Sequence, residues 1–211
     1  MDAQEFLRRL AEGERDFQKV DLSGVDLSGV NLSGYSVKRI DLRYSNFTSA
    51  NLTATNLDYV IFCDSNLRGA CLKGANLYKA SFSSCDLSEA NLSNANAVGT
   101  SFSRATLMNA NLSNANLEGA SFCEADLEKG NLSGANLHEA CLYRACLINA
   151  ILIGADLTDT DLENIDFEGA NLKNVNFKGA NYDVDDDICY SVDVENAIVG
   201  NTTMSGGEVL W

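Results

Sequence analysis

The only imidazole in the chain is His138, directly after Leu137 at a position that points away from the core in the pattern described below. A general base needs an oriented partner within reach, and an outward-facing histidine on a regular wall has none prescribed. The many serines occupy fixed repeat positions, and none stands at a nucleophile elbow. Asp183, Asp185, Asp186 and Asp187 are spaced closely enough to suggest calcium. An EF-hand loop starting at Asp183 would need glycine at 188 and glutamate at 194, but the chain has Ile188 and Val194. The cluster therefore reads as a solvated acidic turn. Lys38, Arg39 and Arg43 form a local basic trio, which reads as surface solvation and not as a phosphate site. Seven cysteines without any Cys-x-x-Cys match neither a zinc site nor a disulfide framework. Cys71, Cys141 and Cys146 precede a leucine, Cys63 and Cys123 follow a phenylalanine, Cys85 takes an inward slot, and Cys189 lies in the tail. All read as reduced small fillers. No catalytic, cofactor-binding or metal-ligating residue is expected, so the chain is expected not to be an enzyme and to need no cofactor.

Composition narrows the classes further. The net charge is −15, from thirty acidic and fifteen basic residues, and such a surface repels nucleic acid. No apolar run approaches the roughly 20 residues of a membrane span, and the acidic start Met1–Glu5 has no apolar signal core. A cytoplasmic protein with reduced thiols is expected, with no membrane and no direct nucleic-acid contact. Proline is absent, which suits a backbone whose N–H groups are committed to a ladder.

The elements that position these residues come from one repeat. Stepping by five from Phe17 to Tyr182 gives 34 consecutive positions: 23 Leu, 8 Phe, Val37, Ala97 and Tyr182. Two residues earlier, 18 of 34 are Ala; one residue earlier, 24 of 34 are Asn or Asp; two residues later, 17 of 34 are Gly or Asn. Period five smears the leucines around a helix and flips alternate ones across a straight strand. Every leucine stays inside only if the chain turns a corner each five residues, with Gly or Asn supplying positive φ there. Phe62, Phe82, Phe102 and Phe122 recur every 20 residues, as do the failures of the Asn/Asp column at Ile61, Ser81, Ser101, Ser121 and Cys141. A four-sided coil stacks each set on one face; a three-sided coil scatters it. Thirty-four pentapeptides then make about 8.5 coils, a rod of about 40 Å at ~4.8 Å per coil.

Solenoid ends need covers. Residues 1–16 read as an N-terminal cap helix and entry: Asp2 and Glu5 form a capping-box pattern, Phe6, Leu7 and Leu10 an apolar face, and Gly13 the stop. Residues 17–182 are the β-helix, and 183–211 an acidic C-terminal cap or tail.

The motif at Ala75–Asn76–Leu77, Ala90–Asn91–Leu92 and Ala115–Asn116–Leu117 resembles the pentapeptide-repeat family over residues 15–184. The leader Glu5–Gly13 and the tail Asn201–Met204 look like those of cyanobacterial members. The resemblance implies an all-β solenoid, a right-handed quadrilateral parallel β-helix. Family functions are not unified: one member influences heterocyst differentiation, and a fluoroquinolone-resistance group protects DNA gyrase by imitating DNA. Charge placement argues against imitation here. The repeat carries eighteen acids and twelve bases, a net −6, against one charge per roughly 1.7 Å of a DNA duplex. The expected function is a non-enzymatic protein-interaction scaffold or regulatory module, with a DNA-mimicking modulator of gyrase or topoisomerase as the alternative. An unknown protein partner and a monomer or weak homodimer are expected.

One surface stands out. Tyr143, Ile148 and Ile153 each follow a leucine, and Ile151 replaces the usual Asn/Asp before Leu152. Together they form a partial apolar belt on three successive sides of one coil. Either the tail covers them, with Ile188, Tyr190, Val192, Ile198, Val199 and Trp211 as apolar partners, or they are a contact site for another protein or a second copy. Cover by the tail is the favoured expectation.

Overall fold

A computed structural model describes residues 1–14, 17, 20–182 and 203–204. Each pentapeptide forms one side of a coil, and the pentapeptide 50–54 shows why. Leu52 N–H donates to Cys71 O of the next coil (2.7 Å), Ala54 N–H to Lys73 O (2.9 Å), and Asn51 N–H to Val30 O of the preceding coil (2.8 Å). Ala50 N–H closes a turn onto Phe47 O (3.0 Å). The fifth amide, Thr53 N–H, donates to Asn51 Oδ1 (3.1 Å). Every donor is satisfied, four by backbone and one by the residue before the leucine. That accounting explains the Asn/Asp column and leaves proline no place in such a repeat.

Parallel bridges join residues twenty apart throughout, from Asp21↔Asp41 to Asp161↔Asn181. The phenylalanine ladder stacks as the register requires. Ring centroids are 4.9 Å apart for Phe62–Phe82, 5.4 Å for Phe82–Phe102 and 4.9 Å for Phe102–Phe122, within 13° of parallel. Leu/Phe and small residues alternate along each inner wall and are buried. The occasional inward hydroxyl finds a carbonyl: Thr55 Oγ1 donates to Leu32 O and Thr100 Oγ1 to Leu77 O, both at 2.7 Å.

Corners depart from the expectation that Gly and Asn mark them. Every fifth residue from Gly24 to Gly179 has positive φ, and fifteen of these positions hold neither Gly nor Asn. The hydrogen bond spanning most of these corners, such as Ala50 N–H to Phe47 O around Ser49 (φ 56), is that of a type II turn. The ladder thus imposes a left-handed backbone on residues that resist it. Ala54 (φ 53) is exposed at such a corner. Ala54→Gly is expected to raise the unfolding free energy by about 0.5–1 kcal/mol, measurable as a shifted urea midpoint at unchanged m-value.

Helix α1 (Ala3–Ala11) precedes the first coil. Glu5 N–H donates to Asp2 Oδ1 (2.8 Å), while the Glu5 carboxylate pairs with Arg8 instead of closing a reciprocal box. Gly13 (φ +93) ends the helix in a Schellman motif, Gly13 N–H donating to Leu10 O and Glu14 N–H to Arg9 O. Phe6 and Leu10 are buried, with the Phe6 ring 4.7 Å from Phe17. Leu7, expected on the same face, is 40% exposed; one residue on from Phe6, it is rotated about 100° around the axis. At the other end β1 (Asn181–Tyr182) pairs in parallel with β2 (Thr203–Met204), which adds a rung beyond the repeat.

Candidate functional site

The apolar belt is one coil high. Tyr143, Ile148 and Ile151–Ile153 lie on successive sides because the bridges at 141, 146 and 151 belong to successive sides. Ile151 and Ile153 are 40% and 39% exposed, and Tyr143 and Ile148 half-buried. The Arg144 guanidinium lies 5.0 Å from the centre of the Tyr143 ring. Polar residues stand above and below. Ile151 bridges to Asn131 and Asn171, and the ladder places Ile153 between Ser133 and Lys173 and Ile148 between Glu128 and Glu168. Asn131 Oδ1 and Asn171 Oδ1 accept from the amides of Ser133 (3.0 Å) and Lys173 (3.2 Å). Ile151 has no such oxygen to offer the Ile153 amide, so the belt gives up a local hydrogen bond as well as polarity. Of the C-terminal segment proposed to cover it, Thr203–Met204 lie on Asn181–Tyr182, beyond the repeat. The remainder of 183–211, including the Asp183–Asp187 cluster and Cys189, lies outside the described residues.

A second exposed cluster near the N-terminal end escaped the sequence reading. Ile61 is 40% exposed and Tyr59 41%. Val20, Asp21, Arg39, Ile40, Asp41, Tyr59 and Ile61 line an open groove of about 560 Å³. Its signal was present: Ile61, like Ile151, breaks the Asn/Asp column. Two of the basic trio, Arg39 and Arg43, are absorbed locally. Arg43 Nε donates to Asp41 Oδ1 (2.9 Å), and Arg39 sits 5.3 Å from the centre of the Tyr59 ring. The carboxylate of Asp58 beside Lys38 and Arg39 is held above its ordinary range by desolvation, which outweighs those cations.

His138 is less exposed than expected: Nδ1 is 2.9 Å from Thr158 Oγ1, and the side chain is 36% exposed between Glu139 and Asp159. These contacts orient the ring against the coil wall. Cys85 donates to Phe62 O (3.0 Å) from the core, and burial pushes its thiol up to about 12, making it an inert filler. Another feature had no counterpart in the sequence reading. On the phenylalanine side, outward hydroxyls and thiols meet diagonally between coils: Cys63–Ser81 (3.1 Å), Ser83–Ser101 (2.9 Å), Ser103–Ser121 (2.8 Å) and Cys123–Cys141 (2.7 Å).

A sequence profile of pentapeptide repeats matches eight copies, over residues 16–34, 45–83, 85–122, 115–154 and 150–181. No curated protein matches the chain. Among solved structures it is similar to QnrB1, a plasmid-mediated fluoroquinolone resistance protein, in a trypsin-treated variant. Identity is 22%, with 85% of this chain and 91% of that one covered at a TM-score of 0.60, a likeness of fold. It is also similar to HetL, a pentapeptide repeat protein involved in heterocyst differentiation regulation from the cyanobacterium Nostoc. There identity is 27%, with both chains covered completely at a TM-score of 0.44.

Proposed function

The chain belongs to the pentapeptide-repeat family, whose fold is the right-handed quadrilateral β-helix, and from that premise we propose that it is a non-enzymatic rod that works by binding a protein partner. In this reading the rod has about 8.5 coils, α1 covers its N-terminal end, and the belt Tyr143, Ile148, Ile151 and Ile153 is the contact surface. The observation that carries it is the exposure of Ile151 and Ile153, 40% and 39%, on a coil flanked by polar ones. Burying one such side chain gains about 1.5–3 kcal/mol, so leaving several in water favours a partner.

Two variants test this. Ile148→Asp with Ile153→Asp is expected to abolish self-association in sedimentation, or capture of a purified partner, while moving the melting temperature only slightly. Loss of folding would make the belt structural. Ile151→Asn restores the oxygen that Asn131 and Asn171 supply one coil away. It is expected to weaken the same association while raising stability by up to about 1 kcal/mol. A supercoiling assay separates this reading from DNA imitation. With a net −6 on the repeat, the protein is expected neither to inhibit gyrase nor to protect it at low micromolar concentration; robust action there would make DNA imitation its function instead.

A further inference from the structure

Six cysteines fall among the described residues, all as free thiols. Cys63 faces Ser81 and Cys71 faces Thr53 (3.2 Å), while Cys85 is buried in the core. Cys123 and Cys141 instead face each other, Sγ to Sγ at 2.7 Å. The contact follows from the coil. The residue after the phenylalanine on one coil leans toward the residue before the phenylalanine or leucine on the next, eighteen positions later, as Ser83–Ser101 and Ser103–Ser121 also do. Cysteine at both ends of one such diagonal turns a hydroxyl contact into a dithiol. Both side chains are half-buried on the outer wall, reachable from solvent. Ser121 Oγ donates to Cys123 Sγ (3.3 Å), and Cys141 Sγ donates toward Asp161 Oδ2 (3.7 Å).

We propose that Cys123 and Cys141 are a modification site, at which exchange with a low-molecular-weight disulfide forms a bond that staples two successive coils. The Cys123 sulfur attacks one sulfur of the external disulfide. That S–S bond breaks, and one small thiol leaves with the Cys123 proton. The Cys141 sulfur then attacks Cys123 Sγ, the mixed disulfide breaks, and the second small thiol leaves with the Cys141 proton. Two protein thiols are oxidised by two electrons, and one external disulfide is reduced to two thiols. Burial is the main cause that pushes the Cys141 thiol up; the same protein disulfide and the same two small thiols result whichever of the two sulfurs attacks first. The bond joins the coil carrying Tyr143 and Ile148 to the one before it, and a reducing compartment would reopen it.

The full chain, incubated with oxidised glutathione at mildly alkaline pH and alkylated, is digested with trypsin without reduction. Cleavage after Arg104, Lys129 and Arg144 leaves Cys123 alone in peptide 105–129 and Cys141 alone in 130–144. The expected product is these two peptides joined, with the loss of two hydrogens, formed at least about tenfold faster in the folded chain than in concentrated guanidinium. Cys123→Ser, which puts in place the residue found at 83 and 103, is expected to fold and to abolish the joined peptide. Glutathione adducts without the joined peptide, links between chains only, or equal rates in folded and unfolded chains would each overturn the proposal.

Discussion

Phe102→Ala is expected to lower the unfolding free energy by about 3–5 kcal/mol. Phe102 is fully buried, with the rings of Phe82 and Phe122 at 5.4 and 4.9 Å on either side. Alanine removes one ring from the middle of a stack whose neighbours are held in place by the backbone ladder. Collapse into the gap would have to break Phe102 N–H to Ser121 O (2.7 Å) and Phe82 N–H to Ser101 O (2.7 Å), so the cavity persists. A solenoid's stability is a sum of coil and interface terms, and a central loss weakens the coupling between its halves. Urea denaturation followed by circular dichroism is expected to show a lower midpoint. Phe177→Ala, nearer the end and 8% exposed, is expected to cost less. Equal effects at both sites, or none at Phe102, would contradict the stacked register.

Gly119→Pro is expected to destabilise by about 3 kcal/mol or more. Gly119 has φ +61, and its N–H donates to His138 O at 2.8 Å. Proline fixes φ near −65° and deletes that donor, leaving the carbonyl of His138 short of a partner and the turn closed by Ala120 N–H to Leu117 O without its geometry. Gly119→Ala isolates the backbone term, because a Cβ there meets nothing within 4 Å. The alanine variant is expected to cost only about 1 kcal/mol, as the alanine already present at corner 54 implies. Melting curves of the two variants side by side check this. A proline variant that melts with the alanine one would mean the corner donor contributes nothing.

The repeat was legible because its physics is local in a special sense: backbone partners lie at fixed offsets, within the same pentapeptide or its corner, or about twenty positions away on the neighbouring coil. A five-residue step with Leu/Phe and a small residue two apart dictates the corners, and the twenty-residue recurrence of Phe62 to Phe122 dictates four sides. Even the purpose of the Asn/Asp column follows, since one amide per pentapeptide has no backbone acceptor. The candidate belt was legible for the same reason: Ile151 is conspicuous where asparagine belongs. Other features depended on distances that periodicity does not contain. Leu7 sits beside Phe6 in sequence yet faces water, because α1 has a single contact face on the first coil. Tyr143 and Ile148 are half-buried while Ile151 and Ile153 are more exposed, although all four break the polar pattern alike. Val20, Ile40 and Ile61 line a groove only because Arg39 and Tyr59 rise beside them at a corner. Cys123 and Cys141 looked like unrelated fillers at different repeat offsets, and the coil brings their sulfurs to 2.7 Å. The sequence by itself determined the coil, its four sides and its register, because those rest on backbone hydrogen bonds repeated identically. Tertiary structure alone decided which outward side chains touch, because such contacts run diagonally between coils and depend on how each side chain leans.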